Sequence, residues 1–248
     1  MYYSEILECG KFTYRKHHFP WHLHPNYWSF SLTVDGSAEL IFAGRPITVK
    51  AGDMVIIPPL APHRTVVEDF FTYKIIRVSV GNPALGGAGR FCGHLVRDKR
   101  AAVVFHHWYE RLKASGSAGL PGGFPESFRP YLPEESFGEA AGHSPLGQAL
   151  AYMHENFSAP VQLEDLSRAA FLSSSHFQRL FKQEFSISPM RYIQSLRIDK
   201  AKELIIRGNP MTEVALATGF YDQSHFNKYF KMLVGMRPSA YSAVVRND

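Results

Sequence analysis

The sequence predicts an α+β protein of more than one domain, with a β-barrel or sandwich at the N-terminus and an all-α domain at the C-terminus. Between residues 21 and 80, short alternating apolar segments are bounded by Gly, Pro and Asp, as in barrels and sandwiches. From residue 144 onward, apolar residues recur at helical spacing. A stretch rich in Gly, Ser and Pro, 114–143, separates these regions. We therefore predict strands over 1–97, a helix and linker over 98–143, and helices over 144–248.

The composition is that of a folded, water-soluble protein. Of the 248 residues, 45% are hydrophobic and 20% are charged. No apolar run reaches the roughly 18 residues that a membrane span needs, and the N-terminus lacks a signal-peptide pattern. We therefore expect a cytoplasmic protein without a membrane partner. Cys9 and Cys92 are too far apart for a CxxC site, and the net charge of +5 is compatible with an anionic partner without identifying one.

The predicted elements follow one another at short intervals. The strands read WSFSLTV, AELIF, PITV, MVIIPP and FTYKIIRVSV, with a turn predicted at Asp35-Gly36. An apolar segment predicts a helix over about 98–113. Aromatic residues in the linker, which we expect to dock on a domain, are Phe124, Phe128, Tyr131 and Phe137. After the linker, Ser144 is a candidate N-cap with Pro145 at the first helical position.

An internal repeat organises the C-terminal part. The first helices of the two units, LEDLSRAA and TEVALAT, align with an offset of 48 residues, whereas Phe177 and Phe226 in the second helices are 49 apart. Each unit predicts a short helix, a tight turn and a second helix that begins at a good N-cap, Ser173 or Asp222. This is the pattern of a helix-turn-helix.

The second helix of each unit carries a polar face without acidic residues. The candidate DNA-contacting residues are Ser174, Ser175, Gln178, Arg179 and Lys182 in the first unit and Gln223, Ser224, His225, Asn227, Lys228 and Lys231 in the second. Arg can chelate guanine and Gln or Asn can bridge adenine, whereas Lys182 and Lys231 suit phosphate contacts. A merely solvated face is the commoner explanation for one such helix, but its duplication favours binding to double-stranded DNA.

The last hundred residues resemble the double helix-turn-helix domain of AraC-type transcriptional regulators. The resemblance rests on LEDLSRAAFLSSSHFQRLFKQEF, SPMRYIQSLRIDKAKELI and MTEVALATGFYDQSHFNKYFKMLVGMRPSAY, which lie in order along the domain. It implies a long helix over about 191–206 that separates the two units, so that their recognition helices enter successive major grooves. Phe171 and Ser186 depart from the family pattern, which often has Gly there, and Ser242 stands where an Arg often follows.

The N-terminal part resembles the cupin-like β-barrel that serves as the sensor domain of this regulator family. The matching motifs are HFPWHLHPNYW and AGDMVIIPPLAPH. The resemblance implies a ligand cavity, and the candidate effector-binding residues are His22, His24, Trp28, Phe30 and His63. Strand alternation places Trp28, Phe30 and Leu32 on one face, which we expect to be the inside.

Metal binding by the three histidines is a competing possibility. In metal-binding cupins an acidic residue completes the ligand set, and Trp28 stands at that position here. We therefore predict no metal and no cofactor, and interpret the histidines as the polar lining of a pocket, although three imidazoles could still hold an ion.

These observations predict a non-enzymatic regulator that binds DNA and responds to a small effector, with carbohydrate as the suggested class. A homodimer is expected, and RNA polymerase is a further candidate partner. Two alternatives stay open: a metal-dependent cupin enzyme fused to a DNA-binding domain, and a barrel that serves only as a dimerisation core.

Overall fold

The computed structural model describes residues 3–42, 45–80, 93–115, 123–132 and 145–247. The strands are β1 (Tyr3–His18), β2 (Tyr27–Phe42), β3 (Arg45–Lys50), β4 (Met54–Ile57), β5 (His63–Val80) and β6 (His94–Val96). The helices are α1 (Lys99–Ser115), α2 (Phe124–Phe128), α3 (Pro145–Asn156), α4 (Leu163–Ala169), α5 (Ser174–Phe185), α6 (Pro189–Ile206), α7 (Met211–Ala217), α8 (Gln223–Val234) and α9 (Pro238–Asn247). An antiparallel sheet thus precedes a helical half, which confirms the predicted fold class. None of the helices in these ranges has the length and apolar character needed to cross a bilayer.

The six strands form one antiparallel sheet with the order β1-β5-β2-β4-β6, and β3 pairs with β2. The predicted turn at Asp35-Gly36 is wrong, because both residues lie inside β2 and pair with β5. The register shifts on either side of this pair, and Gly36 has φ 73°, so the local glycine forms a bulge. A Cβ at Gly36 would lie 2.2 Å from the carbonyl oxygen of Phe70.

The two faces of the sheet pack against different helices. On one face, a buried cluster joins β2 to α1 and α2: Phe30 lies 4.7 Å from Phe128 and 5.5 Å from Phe124, measured between ring centroids. Phe124 and Phe128 are fully buried, so the expected docking of these two linker aromatics is confirmed. Tyr131 packs against the same cluster, and Phe137 lies outside the described residues.

The other side of the sheet domain packs against the helical half. One cluster runs continuously from Phe12 and Tyr14 of β1 to Phe226 and Phe230 of α8. A second cluster joins Leu23 and Leu60 to the core of the first helix-turn-helix unit. The helical half is therefore anchored to the sheet through two apolar cores.

Local signals in the helical half are confirmed where the structure describes them. The Ser173 side chain accepts a hydrogen bond from the His176 amide, and the Asp222 side chain accepts one from the His225 amide. The long helix predicted over about 191–206 begins slightly earlier, at Pro189, because Ser188 caps it. The proposed cap Ser144 lies outside the described residues.

The two departures from the family pattern occupy left-handed backbone. Phe171 has φ 54° and Ser186 has φ 56°, a conformation that costs a residue with a Cβ more than it costs glycine. In the second unit, Gly219 and Gly235 occupy the matching positions with φ 78° and 82°. The repeat therefore keeps its turn geometry in the first unit without glycine.

Candidate nucleic-acid interface and effector cavity

The two second helices of the repeat, α5 and α8, present polar outer faces. Their aromatic residues Phe177, Phe181, Phe226 and Phe230 are fully buried. Exposed predicted contact residues are Ser175, Gln178, Arg179, Lys182, Gln223, Ser224, Asn227, Lys228 and Lys231. Helical periodicity places these side chains on one surface of each helix, where they can meet the edges of bases and phosphates.

Two of the predicted contact residues are turned partly toward the protein. The Ser174 hydroxyl lies 3.0 Å from the Ser167 hydroxyl, which joins α5 to α4. The His225 ring packs edge-on against Phe220 and Tyr229 at 5.6 and 4.8 Å. Both are half-buried, whereas His176, the counterpart of His225 in α5, is exposed and was missed by the sequence analysis. The 49-residue offset could have identified it.

A cavity lies where the sheet meets the helical half, and both contribute to its wall. The cavity has a water-accessible volume of about 80 Å³. The sheet domain supplies Glu8, Tyr14, His22, His24, Ser29, His63, Tyr73 and Arg77, among others, and the helical half supplies Lys202, Leu233, Val234 and Tyr241. The last residues of the recognition helix α8 are thus part of the wall.

The three predicted histidines converge at this cavity. One ring nitrogen of each lies within 4.8 Å of the others, and all three residues are buried. His22 and His63 also exchange two backbone hydrogen bonds of 3.0 and 2.9 Å. Burial lowers the pKa of His63 to about 4 and, with the charges of His63 and His24, lowers the pKa of His22 well below its usual value. Burial, together with the charge of His63, also lowers the pKa of His24 well below its usual value, so all three imidazoles are neutral near pH 7.

A buried polar network connects the histidines to α6. The Tyr27 hydroxyl lies 2.7 Å from His24 Nδ1 and donates to Asp199 Oδ1 at 3.1 Å. Lys202 Nζ donates to the same hydroxyl at 3.3 Å. Burial lowers the pKa of Lys202 and raises the pKa of Asp199, while attraction between the two charges opposes both shifts.

A second buried ion pair, Arg77 with Glu8, lies on the cavity wall. Three buried atoms on the cavity wall have no hydrogen-bond partner within the described part of the chain: Glu8 Oε1, Arg77 Nε and Tyr241 Oη. Asp199 Oδ2, next to the wall residue Lys202, likewise has none there. Because unpaired buried polar atoms are costly, they indicate capacity to bind a further polar group.

The expectation that Trp28, Phe30 and Leu32 face the cavity is wrong. All three are buried in the cluster beneath α1 and α2, on the opposite face of β2. Ser29 and Ser31 line the cavity instead. Alternation in β2 is as predicted, but helix packing, which the strand pattern does not encode, decides which face is covered.

The cavity also contains charged residues that the sequence analysis missed. Glu8 and Arg77 are 69 residues apart, and Lys202 lies 175 residues from its partner Tyr27. The sequence of α6 contains a partial signal for this buried charge, because Asp199 and Lys202 interrupt the apolar buried face of the helix at a spacing of three residues.

Comparison with known proteins agrees with this architecture. The chain matches a helix-turn-helix domain model over residues 166–243 and an AraC-like ligand binding domain model over residues 6–119. The probable transcriptional regulator LumQ of Photobacterium leiognathi is 38% identical over 96 residues, which are 38% of this chain and 39% of LumQ.

Two further similarities extend over nearly the whole chain. The uncharacterised HTH-type regulator YobQ of Bacillus subtilis is 24% identical over 253 residues, covering 99% of this chain and 97% of YobQ. The crystal structure of ToxT from Vibrio cholerae has a TM-score of 0.67 at 12% identity, covering 97% of this chain and 98% of ToxT, and so shows the same fold. The chain belongs to the AraC family of transcriptional regulators and carries an N-terminal ligand-binding domain.

Proposed function

We propose that this protein is a sequence-specific DNA-binding transcription regulator whose DNA affinity is set by a small effector bound in the cavity between the two halves. The observation that carries the proposal is the position of Leu233 and Val234. They end recognition helix α8 and also line the cavity, so one helix connects the ligand to the DNA surface.

The DNA part of the proposal rests on α5 and α8. Arg179 and Gln178 on α5, and Gln223 and Asn227 on α8, are exposed residue types that read base edges in the major groove. Lys182 and Lys231 lie in the last turns of their helices and suit phosphate contacts.

The coupling part rests on how the sheet holds the C-terminal end of α8. The Tyr14 hydroxyl donates to the Val234 carbonyl at 2.8 Å. At the next residue, a Cβ on Gly235 would lie 2.7 Å from the Tyr14 ring. An effector that shifts Tyr14 or Leu233 therefore changes the orientation of α8 relative to α5.

The effector is a small molecule rich in hydrogen-bond acceptors. Among the described residues, Arg77 Nε and Tyr241 Oη have no hydrogen-bond partner; both can donate from the cavity wall, and hydroxyl or carboxylate oxygens would satisfy them. Carbohydrates and sugar acids meet this requirement. ToxT has been crystallised with an unsaturated fatty acid, so carboxylates of other kinds belong in the same test.

We also propose action as a homodimer without enzymatic activity, in contact with RNA polymerase. Relatives named as transcriptional regulators support this reading over that of an enzyme fused to a DNA-binding domain. Light scattering with and without operator DNA tests the homodimer.

The decisive experiment selects genomic DNA fragments on the purified protein at fixed salt, with and without panels of sugars, sugar acids and carboxylic acids. Thermal-shift measurements on the same panels identify effectors independently of DNA. We expect enrichment of sites with two short elements one helical turn apart, with the base preference relaxed at one position in Arg179→Ala. Folded protein that enriches no sequence under any condition would overturn the DNA proposal, and flat thermal shifts would overturn the effector proposal.

A further inference from the structure

In each of the three buried histidines, one ring nitrogen carries the proton and the other carries a lone pair. The nitrogens with lone pairs lie close together, and none of them has a hydrogen to donate to the others. The Nδ1 atoms of His22 and His63 lie 2.8 and 2.9 Å from the carbonyl oxygens of Pro20 and Ala61. A carbonyl oxygen only accepts hydrogen bonds, so each Nδ1 carries the proton and each Nε2 carries a lone pair.

His24 is held in the same tautomer by a longer chain of hydrogen bonds. The Tyr27 hydroxyl donates its one hydrogen to Asp199 Oδ1 at 3.1 Å. It must therefore accept from His24 Nδ1 at 2.7 Å, which leaves the lone pair of His24 on Nε2. Three neutral acceptors placed this closely cannot hydrogen-bond to one another.

We infer that His22, His24 and His63 bind one transition-metal dication, such as zinc, through their Nε2 atoms, with its remaining coordination position open to the cavity. Imidazole nitrogen is a preferred ligand for zinc, iron, nickel and copper. Zinc–nitrogen bonds of about 2.0–2.1 Å place tetrahedral ligand atoms roughly 3.4 Å apart. The rings, whose ligand atoms now lie within 4.8 Å of one another, reach this spacing by closing slightly.

The surroundings match those of metal-bound histidines in two respects. Such histidines donate their second N–H to a carbonyl, a carboxylate or a similar acceptor, as all three do here. The nearby cations Arg77 and Lys202 are balanced by Glu8 and Asp199, and each of these carboxylates has a buried oxygen without a partner in the described part of the chain.

Asp199 gives this site a connection to the DNA-binding half. It lies on α6 between the two helix-turn-helix units and orients His24 through Tyr27. It is a positioning residue, because its effect on the metal passes through another side chain. The metal inference rests on the proposed function, to which it adds a metal ion that anchors the effector. The inference can be wrong even if the protein binds DNA as proposed.

The test uses the full-length, untagged protein, stripped with a chelator and titrated with Co²⁺ and Zn²⁺. We expect one ion per chain and visible Co²⁺ ligand-field bands in the wild type. The exposed histidine variant His18→Gln is the matched control and should behave as the wild type. His22→Gln, His24→Gln and His63→Gln should each lower Co²⁺ affinity at least tenfold.

Two readouts keep the inference falsifiable if a variant does not fold. X-ray absorption of the Zn²⁺-loaded wild type should show scattering from three imidazoles. Asp199→Asn should keep the Co²⁺ bands while lowering affinity roughly 10–100-fold. Folded wild type that binds no stoichiometric metal, or an ion retained by all three histidine variants, would overturn the inference. Operator binding by the metal-free protein, measured in parallel, shows whether the regulator proposal survives that outcome.

Discussion

Tyr27 of β2 and Asp199 of α6 are joined by a buried hydrogen bond of 3.1 Å across 172 residues of sequence. The same hydroxyl also contacts His24 and Lys202, so one oxygen connects the sheet, the histidine cluster and the long helix of the DNA-binding half. Three buried polar groups therefore depend on a single atom.

Tyr27→Phe should lower the free energy of unfolding by about 1–3 kcal/mol, because it leaves buried partners unsatisfied. Urea denaturation of the protein after removal of metal with a chelator measures this change. Tyr221→Phe is the control and should be neutral, since Tyr221 is 89% exposed. Equal stability of Tyr27→Phe and wild type would mean that the network contributes nothing net.

Arg179→Ala should relax base preference at one operator position and weaken specific binding by about 1–3 kcal/mol. The side chain is exposed on α5, so folding stability should change by no more than about 0.5 kcal/mol. Competition binding against operators varied at each position measures the preference. A uniform loss on every sequence would reassign Arg179 to the phosphate backbone.

Lys231→Ala should weaken binding to all sequences alike, because a phosphate contact carries no base information. Loss of one contact should reduce the slope of log affinity against log salt by about one. Lys200→Ala serves as a charge-matched control, since Lys200 is engaged by Glu203 on α6. An unchanged salt slope would remove Lys231 from the interface.

Phe171→Gly should stabilise the protein by about 1 kcal/mol. The residue has φ 54° and is 82% exposed, so the substitution relieves backbone strain and removes little packing. Gly219→Ala at the matching position should do the reverse, because its Cβ would lie 2.4 Å from the Ser158 carbonyl oxygen. Thermal denaturation of the pair measures both effects, and a destabilised Phe171→Gly would show that the ring packs usefully.

His63→Gln should flatten the acid dependence of stability. Burial lowers the pKa of His63 from 6.5 to about 4, so between these values the unfolded chain binds more protons than the folded one. This contribution is complete above pH 6.5 and is lost as pH falls to about 4; it amounts to about 3 kcal/mol. Asp199, whose pKa is raised, acts in the opposite direction, so the difference between variant and wild type is the relevant quantity.

That difference is measured by denaturant titrations at several pH values in the presence of a chelator. A variant that loses stability with acid as steeply as the wild type would show that His63 does not titrate as a buried neutral group.

Signals that act within one unit of structure could be read from the sequence. The caps Ser173 and Asp222 satisfy amides three residues later, so their role is visible in a short window. The repeat likewise predicted which aromatics of α5 and α8 are buried, because helical period and duplication agree.

Features that depend on contact between distant segments could not be read in this way. Alternation placed Trp28 and Ser29 on opposite faces of β2. Which of these faces is covered by α1 and α2 depends on tertiary packing, and the alternation does not specify it. Lys202 and Arg77 are charged residues whose burial is compensated by partners elsewhere in the chain, and no local pattern records that compensation.

The shared wall of the cavity limits the modularity of this regulator. The cavity is lined by the sheet together with Lys202, Leu233, Val234 and Tyr241 of the helical half. Removal of the helical half would therefore expose the cavity to solvent on that side. A chimera that joins this sheet to another DNA-binding domain would contain only part of the pocket, unless the new domain carried the same residues at these four positions. Ligand preference and operator preference are therefore expected to evolve together in this chain.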